Sequence, residues 1–585
     1  EMEYLTNTSA TEVQLYKVLL TKSTYNNSII TYNTTLELNG YYPVNELYKT
    51  ITRDENHDGS TTKNHTTEEF TDKQGRVILK RTYNNSEPHD TYYVYDDYGN
   101  LSYVLPPKAE PQTAKPDTTE LNELCYRYKY DHLNRLVEKK IPGKGWEYIV
   151  YDKLDRPIMT QDTNLKNLGK WLVTKYDVFG RVVYTAIKNA TATRVVFQHS
   201  ANTNSTATQY ENKVASGAGY LDTYYTNNSI PKFVDKILTI NYYDNYIFDL
   251  AGGFALPSYN VLSIASPKGL ATGSKVRILE TDDWITTVSY YDDKSRPIYV
   301  YSHNAYLNTT DQVKSQFLFD GTVSETTTTH DKVGKNTITT IDRFEYDHTN
   351  RLKKHKQKVN NAALDEVIVS NVYDDLGQLK RKGVGGKQNV SSRLQEVDFE
   401  YNIRGWLKKI NNPSVIGNDL FAFALKYNDS NIGDALFNGN ISQTFWKTKN
   451  LDQSTKAYTY SYDDLNRLTN AIDYTGKFNT QNISYDKNGN ILTLIRKGHI
   501  VNSPMLSNNS DFGNMDNLDY TYEAKSNKLK KVLDNGNDNH GFMDGANAAT
   551  EYFYDSNGNM VVDINKGIAN ITYNHLNLPE QVFLS

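Results

Sequence analysis

The sequence predicts an all-β protein, a long antiparallel sheet of β-hairpins that curls into a hollow wall. Three observations predict it. A short phrase returns along almost the whole 585-residue chain: an aromatic, then an acidic residue or Asn, then Gly, Asn, Asp or Ser four places after the aromatic. The flanking residues alternate with a period of two, as in "TYYVYD" and "NLSYVL" around Tyr95, the pattern of a strand with two faces. Only 38% of residues are hydrophobic, yet Tyr supplies 47 against 19 Phe. A tyrosine ring packs while its hydroxyl stays wet, so this composition suits a thin wall better than a thick, dry core.

The phrase is plain at Tyr95, Asp96 and Gly99; at Tyr130, Asp131 and Asn134; and at Tyr176, Asp177 and Gly180. It recurs at Tyr485, Asp486 and Gly489 and at Tyr554, Asp555 and Gly558. Further copies start at Tyr151, Tyr291, Tyr346, Tyr373, Tyr401, Tyr462, Tyr522 and Tyr573, with degenerate ones at Thr71, Phe317 and His330. Asp followed three residues later by Gly is the chemistry of a type I turn. The carboxylate accepts backbone N–H groups, and Gly or Asn takes the left-handed conformation. Such a turn joins hairpin strands through a bulge, and the shared Tyr is expected to stack on its neighbour in the next strand pair. A lone hairpin is marginal in water, so successive hairpins pair edge to edge. Spacings such as 35, 21 and 25 residues between phrases rule out a strict solenoid. Winding the sheet closed removes most of its exposed edges.

Three parts follow: a hairpin array over residues 1–186, an insertion or divergent stretch over 187–280, and a second array over 281–585. In the middle part Tyr243 and Asp244 begin a phrase without its turn residue. "PPKAEPQTAKPDTTE" (106–120) reads as a Pro-rich surface loop. The segments 502–517 and 533–550 read as long flexible tips. Helical periodicity is almost absent.

The balance of 64 basic and 69 acidic residues, net charge −5, argues against a nucleic-acid or anionic-membrane binder. Cys125 is the only cysteine, which excludes an intrachain disulfide and reads as a half-buried strand thiol. No apolar run reaches the ~18 residues of a membrane helix. The opening "EMEYLTNTSA" lacks a basic and apolar leader, so any signal peptide is expected to be already missing.

Signatures of catalysis are lacking too: there is no HExxH, Walker A, Rossmann or Gly-x-Ser-x-Gly pattern, and the phrase aspartates are explained by turns. "DENHDGS" places Asp54, Asn56, Asp58 and Gly59 like the start of a calcium loop, but the twelfth position is His65 where a bidentate Glu is needed. The three oxygen donors remain calcium candidates beside the plainer reading of a solvated hairpin tip. Trp146, Trp171, Trp284, Trp406 and Trp446 are the large anchors, read as packing along the wall.

Repeats of this density resemble the YD-repeat, or RHS, family. "LCYRYKYDHLNRLVEKKIPGKGWEYIVYDKLDRP" and "NKGIANITYNHLNLPEQV" are especially similar to the large secreted RHS proteins of Bacteroidetes. The resemblance implies a β-cocoon, a shell that encloses a variable C-terminal domain, often a toxin. It also implies that this chain, ending "PEQVFLS" and lacking any Asp-Pro, stops before the family's self-cleaving core and variable tip, so neither protease residues nor toxin activity carry over. The expected function is a non-enzymatic, secreted or cell-surface bacterial shell around a C-terminal cargo, without cofactor. Export by a type IX machine and its chaperones follows from the resemblance alone. The alternative is an adhesin or glycan-binding module on the same wall.

Overall fold

Thirty-two strands form one antiparallel sheet. From Tyr48–Arg53 to Leu529–Asp534 each strand pairs with the one before it in sequence, while Met2–Thr6 adds to the outer side of Tyr48–Arg53. The computed structural model describes residues 1–26, 29–215, 219–430, 432–545 and 548–585. The tip read at 533–550 therefore falls partly outside the described residues, as does part of the polar stretch before Tyr220. A four-stranded sheet, Tyr552–Tyr554 to Pro579–Leu584, carries the last phrases.

The hairpins have the predicted bulge. Val94 pairs with Tyr103 but Tyr95 with Leu101, leaving Ser102 as the extra residue. The same one-residue slip falls at Tyr151, Tyr176, Tyr291, Tyr346, Tyr373 and Tyr462. Each bulge adds local right-handed twist, so a bulge at phrase after phrase curls the sheet.

The wall is backed in its first half and bare in much of its second. The hairpin Gln14–Tyr25 and Ile29–Tyr41 stands outside the main sheet and packs Tyr16, Val18 and Leu36 against Phe70, Leu79, Tyr92 and Leu105. The Pro-rich stretch is not a free surface loop. It contains the helix Thr118–Glu123, capped by Asp117 and Glu120, and its Pro111 and Ala114 carbonyls accept the Tyr16 hydroxyl. Cys125 is wholly buried beneath it, rather than half-buried, and burial pushes its thiol up to about 12.

In the middle part the sheet is continuous, because Lys236–Tyr243 pairs with Val182–Asn189 on one side and Ala271–Arg277 on the other. Residues 190–215, 219–235 and 244–270 are excursions that pack onto the wall. They close the larger core, where Tyr225, Val234 and Phe248 meet Trp171, Tyr184, Tyr242 and Tyr290. Tyr242 and Phe248 stack with centroids 4.0 Å apart. The helix Arg194–Thr203 lies here, in a stretch that reads as small and polar. By contrast, in Thr309–Phe317, Val323–Lys332 and Ile338–Tyr346 only Thr309 is buried. This is a single layer with two wetted faces. In the segment read as a flexible tip at 502–517, Phe512 onward is already strand.

The contrast can be measured. Phe70 is fully buried and Phe319 is 96% exposed. Phe70→Ala is expected to cost about 3–5 kcal/mol and Phe319→Ala within about 0.5 kcal/mol. Calorimetric unfolding of the two variants checks this, and equal losses would contradict the two-part wall.

Candidate functional site: the turn lock and the seam

Each phrase closes on its acidic residue. In the turn at Asp96 the Oδ1 accepts the N–H of Tyr98 (3.0 Å) and of Asn100 (2.8 Å), while the Asp96 N–H donates to the Asn100 carbonyl. The same pair of contacts holds the turns at Asp152, Asp177, Asp292, Asp463 and Asp555. Gly99 has φ +83° and Asn134 φ +59°, the left-handed backbone that favours those two residues. The Tyr522 copy departs. Its left-handed residue is Lys525 rather than Ser526, and Glu523 pairs with Lys528, one residue further on.

The second carboxylate oxygen does something the turn alone does not require. Where the residue after the turn position is Arg, its guanidinium donates to Asp Oδ2, at 2.8 Å for Arg156 Nε to Asp152 and 2.7 Å for Arg351 Nε to Asp347. The other side of the guanidinium lies over the aromatic of the next phrase: Arg156 over Tyr176 at 4.5 Å, Arg351 over Tyr373 at 4.5 Å, Arg467 over Tyr485 at 4.6 Å. That tyrosine then donates its hydroxyl back to the carbonyl just past the Arg. Tyr176 reaches Pro157 at 2.7 Å, Tyr373 reaches Leu352 at 2.9 Å, and Tyr485 reaches Leu468 at 2.7 Å. Successive phrases are thus joined by a carboxylate, a guanidinium and a ring, not by the ring-on-ring stacking expected from sequence. Tyr243 takes part fully, under Arg181 at 4.2 Å and bonded to the Val182 carbonyl, although its phrase lacks the turn residue. Tyr427 is a link the phrase search misses, since its hydroxyl reaches the Leu407 carbonyl.

At some turns these contacts hold the carboxylate in its charged form. Burial works to raise the Asp292 pKa, but the Arg296 and Lys294 N–H groups and the Arg296 guanidinium hold it below the ordinary carboxylate value. Asp72 and Asp486 are lowered against the same burial by comparable contacts.

The turns of the later phrases lie on the loops of the early strands. Asp464 Oδ2 accepts the Asn85 N–H (2.7 Å), 379 residues away. Lys108 Nζ reaches Asp486 Oδ2 and the Ser526 carbonyl, both at 2.7 Å, and lies over the Tyr522 ring. Lys528 pairs with Glu123 at 3.1 Å, and Asn164 Nδ2 donates to Asp555 Oδ2 at 2.7 Å. The sheet therefore meets itself after one revolution, along a polar seam.

Of the calcium candidates, Asp54 and Asn56 reach across this seam, to Asn466 and Phe437, while Asp58 stays within its own hairpin tip. Asp54 Oδ1 accepts the Asn56 N–H (2.9 Å), Asn56 Oδ1 accepts the Phe437 N–H (2.7 Å), and Asp58 Oδ1 accepts the Ser60 N–H (2.8 Å). Among the described residues, no group of three or more His, Cys, Asp or Glu is placed to hold a metal. The tryptophans pack in the wall: Trp171 is fully buried against Phe197, Trp146 lies under Arg127 and Lys129, Trp284 under Arg277, Trp406 beside Tyr427, and Trp446 on Tyr458.

No protein-family model and no curated protein matches the chain. Solved structures do. The chain is similar to one in the Photorhabdus luminescens Tc holotoxin pore carrying a point-mutated TccC3, at 14% identity and a TM-score of 0.58, over 92% of this chain and 23% of that one. It is equally similar to a chain in the crystal structure of TcdB2-TccC3 without its hypervariable C-terminal region, at 14% identity and 0.58 over 91% and 23%. The likeness is one of fold. This chain spans about a quarter of the length of the chains it matches.

Asp292→Ala leaves two turn N–H groups and the Arg296 guanidinium without their acceptor. The expected cost is about 1–3 kcal/mol, read as faster amide exchange confined to residues near that turn. Exchange that quickens across the whole sheet would contradict a local lock. A carboxylate lowered in the folded state contributes stability above its unfolded value, about 3.9, and loses it as pH falls through the folded one. The unfolding midpoint is therefore expected to stay level down to about pH 5 and to drop below about pH 4. For the seam, Lys108→Glu is expected to raise protease cleavage at 106–124 without changing strand content by circular dichroism.

Proposed function

We propose that this chain is part of the wall of a shell that encloses a C-terminal, toxin-like cargo. One observation carries the reading: the hairpin sheet returns onto itself along a seam, so the strands surround a volume instead of filling one. The similar TcdB2-TccC3 chain adds support, being a component of a toxin with a hypervariable C-terminal region.

The size of the ring bears on the state of the cargo. About two dozen strands separate the turn at Asn85 from the one at Asp464 that covers it. At ~4.8 Å per strand this gives a girth of roughly 110 Å before strand tilt widens it. A folded domain of ~100 residues is itself about 35 Å across, close to the outer diameter of such a ring, which favours a cargo held unfolded. In this reading the wall is containment rather than catalysis, the shell is made by a bacterium and acts outside it, and export depends on a secretion machine such as type IX with its chaperones. Origin in Bacteroidetes rests on the sequence resemblance.

The test is the intact mass of the protein as its organism releases it, under native and denaturing conditions. A further polypeptide, covalent or retained natively and freed by denaturant, is the expected result. A mass of these residues alone with nothing retained would sink containment. Binding on a glycan array would then favour the adhesin.

A further inference from the structure

We infer that Lys175 and Asn227 become joined by an intramolecular amide bond between their side chains, with Glu211 as the proton carrier. Lys175 lies in the strand Lys170–Tyr176, opposite Tyr184, and its side chain is fully buried together with that of Glu211. Its Nζ touches Glu211 Oε1 at 3.0 Å, Asn227 Oδ1 at 2.9 Å, and the Ser229 carbonyl and hydroxyl at 2.8 and 3.1 Å. All these partners come from the excursion that packs onto the wall.

A buried lysine beside a glutamate is ordinarily a structural ion pair. Here the same nitrogen also contacts a side-chain amide oxygen, so the amide carbon lies one bond beyond. Reacting groups held this close have a large advantage over the same groups in solution. Burial brings the Lys175 pKa down to about 8, against the pull of Glu211, so the neutral amine is accessible at ordinary pH. The Tyr184 hydroxyl, which donates to the Thr226 carbonyl at 3.1 Å, also stands 3.4 Å from Asn227 Oδ1 and can turn to that oxygen as negative charge develops there.

The step balances without any co-reactant. The Lys175 ammonium passes a proton to Glu211, and the free amine attacks Asn227 Cγ. The new C–N bond forms as the Cγ–Nδ2 bond breaks. Two of the three ammonium protons leave with Nδ2 as an ammonium ion, the first by way of Glu211, which ends as the carboxylate it began as. Glu211 also accepts from Thr226, from the Asn228 N–H, and from the Ser229 N–H and hydroxyl. These donors favour its anion, so the reaction is slow and happens once per chain. The product ties residues 52 apart in a chain with a single cysteine, constraining the unfolded state as a disulfide would.

Denaturing mass spectrometry of the wild-type chain tests this without needing any variant to fold. The expected mass is one ammonia below that of the sequence, with a branched peptide carrying both Lys175 and Asn227 after digestion. Glu211→Gln and Asn227→Ala are expected at full mass, and Asn227→Asp at one water below its own sequence. A wild-type chain at full mass overturns the proposal. So does a loss of ammonia in which the Lys175 and Asn227 peptides are recovered as separate linear species.

Discussion

Where an arginine follows the turn, the acidic residue of the phrase holds the hairpins together from two directions. One oxygen gathers the N–H groups of its own turn, and the other fixes an arginine that lies flat on the next phrase's tyrosine. Because that tyrosine hydroxyl returns to the preceding hairpin, no phrase is complete without its neighbour. Stability is then close to a sum of nearest-neighbour terms, as in other repeat arrays. This is how a chain with so little aliphatic content builds so wide a sheet. Ordinary sheets rely on a buried face, whereas here much of the cohesion runs along the turn edge, in contacts that burial of a face does not supply.

That economy has limits, and the structure shows where they are met. Between Thr309 and Tyr346 the sheet is a threonine-rich layer, held by its ladder and by a few polar contacts such as Ser258 on Ser315 and Tyr259 on Thr327. In the first half, the hairpin 14–41 and the excursions 190–215, 219–235 and 244–270 each lay apolar side chains over the wall. Thickness follows the sequence directly: an aromatic-rich interruption appears where the wall gains a core.

Turns were legible because their requirement is local. A left-handed residue three places after an aspartate declares itself in the sequence, and the bulge follows from it. The arginine just past the turn was equally visible at Arg135, Arg156, Arg181, Arg296, Arg351 and Arg467, and reading one position further would have exposed the lock. Tyr427 was missed although it was legible, since Asn428 follows it and Asn431 stands four places on. The helix Arg194–Thr203 was hidden because it has a weak apolar stripe and serves packing already formed by Trp171 and its neighbours. The seam was out of reach for a different reason. Its partners stand 377 to 418 residues apart, and a Lys108 or an Asp464 has nothing in its local sequence to distinguish it from any other surface charge. Lys175, Glu211 and Asn227 are likewise unremarkable until the fold brings them to one nitrogen.

Seam and locks differ in strength, and the difference has a direction. A lock such as Asp292 with Arg296 is largely buried on its acidic side, bound by several donors, and repeated along the array. Some seam pairs are wetter: Lys525 with Asp117 and Lys487 with Glu110 are each about half exposed on at least one partner, although Lys108 with Asp486 is as sheltered as a lock. Ion pairs of that kind contribute about 0–1 kcal/mol and weaken with salt. A load applied from within the ring, or a rise in ionic strength, therefore acts first on the line where the later course rests on the earlier one. The hairpins stay intact while that line parts. Parting of that line is thus expected to cost less than breaking the strand ladder.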